Sequence, residues 1–220
     1  MILFFGDPHT RFGHVLDAVM LHRPAAIVLL GDIQARRPLD VELASILDLT
    51  EVWFIHGNHD TDTDLYYDNL FGSQLADRNL HGRVVEIAGV RVAGLGGVFR
   101  GAVWYPKDAQ KPKFRSREAH ARVTPRQDRW QGSVHLKHWS SIYPDELEQL
   151  ATQQADILIT HEAPGYHEHG FKELDSLARR MGVRMTVHGH QHDNIDSSAQ
   201  WDAQGFQSFG VGLRGVMVVD

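Results

Sequence analysis

The sequence predicts an α/β protein with mixed rather than purely parallel sheet content, and three observations predict it. Short apolar runs recur along the chain, helical periodicities lie between them, and one pair of runs is joined too tightly for a crossover. Residues 2–5 form the first run and read as a strand buried on both faces. Phe12, Val15, Leu16, Val19 and Met20 follow at helical spacing. A second run at 27–30 precedes a second helical pattern, Leu39, Leu43, Ile46 and Leu47, and a third run covers 52–55. Residues 84–87 and 90–93 are separated only by Ala88-Gly89, which predicts an antiparallel hairpin. Pro144 suits the first turn of a helix reaching about Leu150. Runs at 157–159 and 183–187 flank a helix carrying Phe171, Leu174, Leu177, Ala178 and Met181, and residues 216–219 read as a last strand.

With 220 residues, 42% hydrophobic and 23% charged, the chain has the composition of a soluble globular protein, and one domain over 1–220 is expected. No apolar stretch approaches the ~18–20 residues of a membrane span. A strand starting at Ile2 leaves no room for a leader, so a cytoplasmic location is expected. The absence of cysteine excludes disulfides and thiolate ligands, so any metal must be held by His, Asp, Glu or Asn. The net charge of −6 hides an asymmetry: residues 100–139 hold ten Lys/Arg against three acids, so that segment is +7 and the remainder −13. About 97–140 also shows little periodicity, which marks it as an insert or lid of functional use.

Five of the breaks after apolar runs are rich in oxygen and imidazole: Gly6-Asp7-Pro8-His9, Gly31-Asp32, Gly57-Asn58-His59-Asp60, Thr160-His161 and Gly189-His190-Gln191-His192. Ligands in open α/β sheets bind beyond the carboxyl ends of strands, so one architecture can bring all five to one edge. Asp7 and His9, one residue apart in extended chain, can chelate one ion, and His190 and His192 repeat the spacing. Asp32 can bridge two cations, and paired divalent ions ~3.5–4 Å apart clamp the oxygens of a phosphoryl displacement. Asn58 can ligate through its amide oxygen, and Asp60 could orient or polarise His59.

In this order the motifs resemble those of the calcineurin-like metallophosphoesterase superfamily, from Asp7 to His192. The resemblance implies a four-layer α/β/β/α sandwich of two mixed sheets flanked by helices. It implies that Asp7, His9, Asp32 and His192 hold one divalent metal, and that Asp32 bridges to a second held by Asn58, His161 and His190. It further implies a metal-bridging hydroxide as nucleophile and His59 as general acid, with Asp60 in support. The chain departs from many members in having Ala35 three residues after Asp32, where a second acid stands. It also lacks the Gly-Asp-x-His-Gly of the protein phosphatases, having Thr10 after His9. Gly94-Leu95-Gly96-Gly97-Val98-Phe99, the basic insert, Ser133-Val134-His135 and Thr160-His161-Glu162-Ala163-Pro164 give residues 89–164 a weaker similarity to RNA lariat debranching enzymes. Those enzymes place Cys where this chain has Asp7, so their substrate is not carried over.

The expected function is therefore a binuclear phosphoesterase, a phosphodiesterase on a nucleotide or nucleic-acid phosphate. A broad phosphomonoesterase and a noncatalytic binding module on the same fold are the alternatives. Oxygen mixed with imidazole accepts Mn, with Fe, Zn or Ni as substitutes. Among the other histidines, His56 and His188 are expected to be packed at strand ends, and His167 and His169 to be solvated in a glycine-flanked loop. Trp104, Tyr105, Phe114, Trp130 and Trp139 in the basic insert suit base stacking or, equally, a satellite core.

Overall fold

Alternation along each short strand sorts its apolar residues to opposite faces. In β1 (Ile2–Phe5), Ile2 and Phe4 enter one cluster of buried residues while Leu3 and Phe5 enter another. The computed structural model describes residues 1–108 and 111–220; residues 109 and 110, inside the predicted insert, lie outside the described residues. After β1 come α1 (Gly13–His22), β2 (Ala26–Leu29), α2 (Leu39–Glu42), β3 (Glu51–Phe54) and α3 (Asp64–Phe71). The hairpin follows as β4 (Arg83–Ile87) and β5 (Val90–Leu95), then α4 (Arg117–Val123) and α5 (Pro144–Leu150). The chain continues through β6 (Ile157–Thr160), α6 (Lys172–Met181), β7 (Met185–His188), α7 (Trp201–Gln204), β8 (Gln207–Gly210) and β9 (Val216–Val219).

The strands form two sheets, ordered β3-β2-β1-β9 and β4-β5-β6-β7-β8. Both are mixed, because β9 runs antiparallel to β1 and β4 antiparallel to β5, while every other pair is parallel. Phe4, Val28 and Trp53 of the first sheet meet Val92, Ile159 and Val187 of the second in a shared core. On the outer face of the first sheet, Phe5, Leu29 and Phe54 pack against Val15 and Val19 of α1. On that of the second, Ala93 and Leu158 pack against Leu147 of α5 and Leu174, Leu177 and Ala178 of α6. The result is the helix–sheet–sheet–helix layering that the resemblance implied.

Local chemistry fixes the helix ends. Pro144 sits in the first turn of α5, and the Tyr143 N–H donates to Glu146 Oε2 at 2.9 Å. Thr63 Oγ1 caps α3 by accepting from the Tyr66 N–H. Several elements differ from the sequence pattern. The predicted helix over 39–47 is helical only through Glu42, after which Ile46 and Leu49 make three-residue turns, with Leu43 and Ile46 still buried. α3, α4, α7 and β8 were not predicted: α3 carries only Tyr67 and Leu70 as buried apolar groups, and β8 is a polar edge strand. No described helix is long and apolar enough to cross a membrane.

Candidate metal centre

β1, β2, β3, β6 and β7 lead directly into the turns that carry the predicted site residues, and the structure brings those turns to one edge. Ligand-capable atoms of His9, Asp32 and His192 lie within 4.8 Å of one another, as do those of Asp32, His161 and His190. Asp32 belongs to both groups. His9 Nε2 is 3.1 Å from His192 Nε2 and 3.9 Å from Asp32 Oδ2. His161 Nε2 lies 3.4 Å from Asp32 Oδ1 and 3.3 Å from Asn58 Oδ1. Asp7 stands outside both tight groups but touches each: Oδ2 is 3.9 Å from His192 Nε2, and Oδ1 is 3.7 Å from His161 Nδ1.

Partners behind the rings set which nitrogen faces the cluster. His161 Nδ1 donates to the Leu30 carbonyl at 2.8 Å, and His9 Nδ1 is 2.6 Å from Gln34 Oε1. Both arrangements leave Nε2 for the site, the usual way an outer partner fixes a metal-ligating imidazole. Gln34 was not predicted as a site residue; its position two residues after Asp32 was the available signal.

The convergence does not come from extended chain, as the Asp-x-His spacing had suggested. Asp7, His9, Asp32, His190 and His192 all have positive φ, between 34° and 69°. Left-handed backbone costs a non-glycine residue roughly 1–3 kcal/mol, and such strain persists only where the surroundings impose it. Here carboxylates hold the turns: Asp7 Oδ2 accepts from the His190 N–H and Asp32 Oδ1 from the His59 N–H, each at 2.8 Å. Bonds of this charged kind contribute about 1.5–3 kcal/mol each and offset the strain. Gly57 permits a close approach, since a Cβ there would lie 2.2 Å from Asp32 Oδ1. Gly57→Ala is therefore expected to weaken metal affinity about 10–100-fold by displacing Asp32, measured as metal retained after dialysis against dilute chelator. Unchanged retention would show that the turn can relax without moving the carboxylate.

The electrostatics describe a site built for cations. Burial raises the Asp7 carboxyl to about 7, further raised by Asp32 and partly opposed by His161. Burial also works to raise Asp32, but the charge and hydrogen bond of His161 outweigh it and hold this carboxyl low. His161 rises to about 10, because Asp32 and Asp7 overcome its burial. His190 falls to about 3 through burial beside His161. Asp7 Oδ1 is buried with no hydrogen-bond partner. Two carboxylates, a converged set of imidazoles and an orphaned carboxylate oxygen in one buried place are satisfied together by divalent cations. The residues present fit such ions.

Two expectations are corrected. Asp60 does not hydrogen-bond His59 and acts on it only through its charge: it is fully buried, and its oxygens accept the N–H groups of Gln34 and Gly57 at 2.7 and 2.8 Å. It ties the second and third motifs together. The partner of His59 is Asp62, whose Oδ2 is 2.5 Å from His59 Nδ1. Three-residue spacing places both on one side of the short 3₁₀ turn His59–Thr61. His167 is not solvated but buried, with Nε2 3.1 Å from Asp193 Oδ2, whereas His169 is exposed. His188 is packed at the end of β7, with Nε2 2.7 Å from the Tyr166 hydroxyl, and His56 is buried beside His81. Glu162, also not predicted, is buried with Oε2 3.8 Å from His190 Nε2, and burial raises its carboxyl to about 7.

The aromatic residues of the basic insert are engaged in packing. Trp104 meets Phe99 edge-on at 5.1 Å, and Trp130 and Trp139 both pack on Tyr67 of α3. Tyr105 packs on Phe171, and Phe114 stacks on His120. All five rings nevertheless remain partly exposed.

Comparison with known proteins agrees with this architecture. The calcineurin-like phosphoesterase family model matches residues 1–194. An uncharacterized protein of Haemophilus influenzae is 44% identical over 195 residues, covering 89% of this chain and 84% of the relative. The crystal structure of TT1561 from Thermus thermophilus superposes with a TM-score of 0.57 over 97% of this chain and 89% of that one. At 17% identity that likeness shows a shared fold. The match to the family across its motifs establishes that the chain belongs to the calcineurin-like phosphoesterases, which are metal-dependent hydrolases.

Proposed function

We propose that the chain is a binuclear phosphodiesterase acting on nucleotide or nucleic-acid phosphates, with 97–140 serving as a basic lid. The sharing of Asp32 between the two ligand groups carries the binuclear reading. Asp7, His9, Asp32 and His192 would hold one ion, and Asp32, Asn58, His161 and His190 the other. Bound there, divalent ions supply Lewis acidity toward the phosphoryl oxygens and lower the pKa of coordinated water. Manganese suits this mixture of oxygen and imidazole. His59 protonates the leaving oxygen from Nε2 while Asp62 holds Nδ1. Its ring centroid is 5.7 Å from that of His9, and its side chain keeps 45% exposure, so it borders the site and reaches solvent. Burial lowers the His59 pKa, but the hydrogen bond to Asp62 and the charge of Asp32 outweigh this and raise it.

The diesterase reading rests on the +7 charge of residues 100–139 beside an acidic body. The charge of the insert would contribute to substrate binding electrostatically. Paired hydrolysis of an aryl phosphomonoester and a bis-aryl phosphodiester, each with Mn²⁺ and with chelator, tests the assignment. Chelator-sensitive cleavage of the diester is expected, with oligonucleotide affinity falling steeply as salt rises. Cleavage of the monoester alone would support the phosphomonoesterase reading, and a flat salt response would remove the nucleic-acid substrate. No chelator-sensitive hydrolysis of either ester would favour a binding module.

A further inference from the structure

We propose that Arg100, at the entrance of the basic insert, is the residue that grips the substrate phosphate beside the metal centre. Its placement is rigid. The Arg100 carbonyl accepts from the Val103 and Trp104 N–H groups at 2.8 and 2.7 Å. The preceding Phe99 N–H donates to Glu162 Oε1 at 3.1 Å, and Glu162 Oε2 in turn faces His190. On the other side, Arg100 Nη2 donates to Ser140 Oγ at 3.1 Å, and Ser140 Oγ is 2.6 Å from Thr61 Oγ1 in the turn that carries His59. The arginine is thus tethered both to the His190 side and to the His59 side of the site.

The guanidinium is also incompletely satisfied. Arg100 is half-buried and, among the described residues, makes no ion pair within 4 Å and has its Nε buried with no hydrogen-bond partner. No other arginine nitrogen among the described residues is buried in this unpartnered way. Burial works against its charge, while Asp62, Glu162 and Asp32 lie close enough to favour it. By contrast, Arg115 and Arg117 of the same insert are occupied by Glu148 and Glu146. A guanidinium left with free donors and held on a fixed backbone suits the oxygens of a phosphate, which it can meet through two parallel bonds. Nε itself is enclosed, so a bound phosphate would meet the Nη groups. The lid then does more than raise the local positive potential: it delivers one specific cation to the phosphoryl group.

The inference rests on the phosphoesterase reading of the site, so its test separates the two. Binding of inorganic phosphate to manganese-loaded protein is measured by calorimetry for wild type, Arg100→Ala and Arg100→Lys, alongside metal content, thermal midpoint, and KM and kcat on the aryl esters. The expected result is phosphate binding weakened about tenfold or more in Arg100→Ala and less in Arg100→Lys, which keeps the charge but loses the fork. KM should rise more than kcat falls, metal content should stay at wild type, and free guanidinium should partly restore Arg100→Ala. Phosphate binding unchanged in both variants would overturn the role of Arg100, even with the wild type fully active. If Arg100→Ala fails to fold, Arg100→Lys decides: unchanged phosphate affinity there, without a bidentate donor, overturns the proposal. Loss of metal from both variants would show Arg100 to be structural and equally overturn it. A wild type that binds phosphate but cleaves neither ester contradicts the phosphoesterase reading and leaves the phosphate-gripping role standing.

Discussion

Replacing His59 with alanine is expected to lower kcat by roughly 10²–10⁴-fold while metal content stays near wild type. The geometry separates these two quantities. The His59 imidazole is in neither of the groups able to hold an ion, and its Nδ1 is engaged by Asp62 at 2.5 Å. What it shares with the metal centre is the backbone, since the His59 N–H donates to Asp32 Oδ1. Alanine keeps that N–H and removes only the ring. Metal analysis and steady-state kinetics on the same preparations make the comparison, and a variant that keeps its turnover would remove His59 from proton transfer. Asp62→Asn should give a smaller loss than His59→Ala, because it weakens the hold on Nδ1 but leaves the ring.

Asp32→Asn is expected to act in the opposite order, losing metal first and activity as a consequence. Asp32 is the one residue common to both groups, and its neighbours keep it ionised despite burial. An amide offers one neutral oxygen where the carboxylate offers two charged ones, and His161 would lose its main electrostatic partner. Occupancy after gel filtration should therefore fall by about one ion or more per chain, and turnover by at least the 10²-fold scale of a lost catalytic group. Wild-type occupancy in Asp32→Asn would refute a bridging role for this carboxylate.

Much of the architecture was legible because it depends on period and punctuation. Runs of two-sided apolar residues marked β1, β2, β3, β6 and β7, and the two-residue Ala88-Gly89 link marked the antiparallel pair β4 and β5. α3 escaped because its apolar and aromatic residues are scattered around the helix and only Tyr67 and Leu70 among them are buried, and β8 because it is short and polar and is fixed by pairing with β7. At the site, the order of motifs placed Asp7, His9, Asp32, Asn58, His161, His190 and His192 at strand ends, and the structure brings them together. The means of convergence was hidden, because left-handed φ at five non-glycine positions is imposed by tertiary hydrogen bonds. Asp60 and Asp62 show the limit of adjacency as a guide. Each is a short step from His59, but the 3₁₀ turn directs Asp62 to the ring and Asp60 into the loop behind it. Glu162 is adjacent to His161 in the sequence but was not singled out, and Arg100 gave no signal because the bonds of Arg100 to Ser140 and of Phe99 to Glu162 are tertiary contacts that no spacing encodes.

The shared carboxylate of Asp32 is the centre of this account, and electron paramagnetic resonance of the manganese-loaded protein tests it most directly. Two ions per chain with an exchange-coupled spectrum are predicted, since ions bridged by one carboxylate lie about 3.5–4 Å apart. A single ion per chain, or two ions with uncoupled spectra, would contradict it.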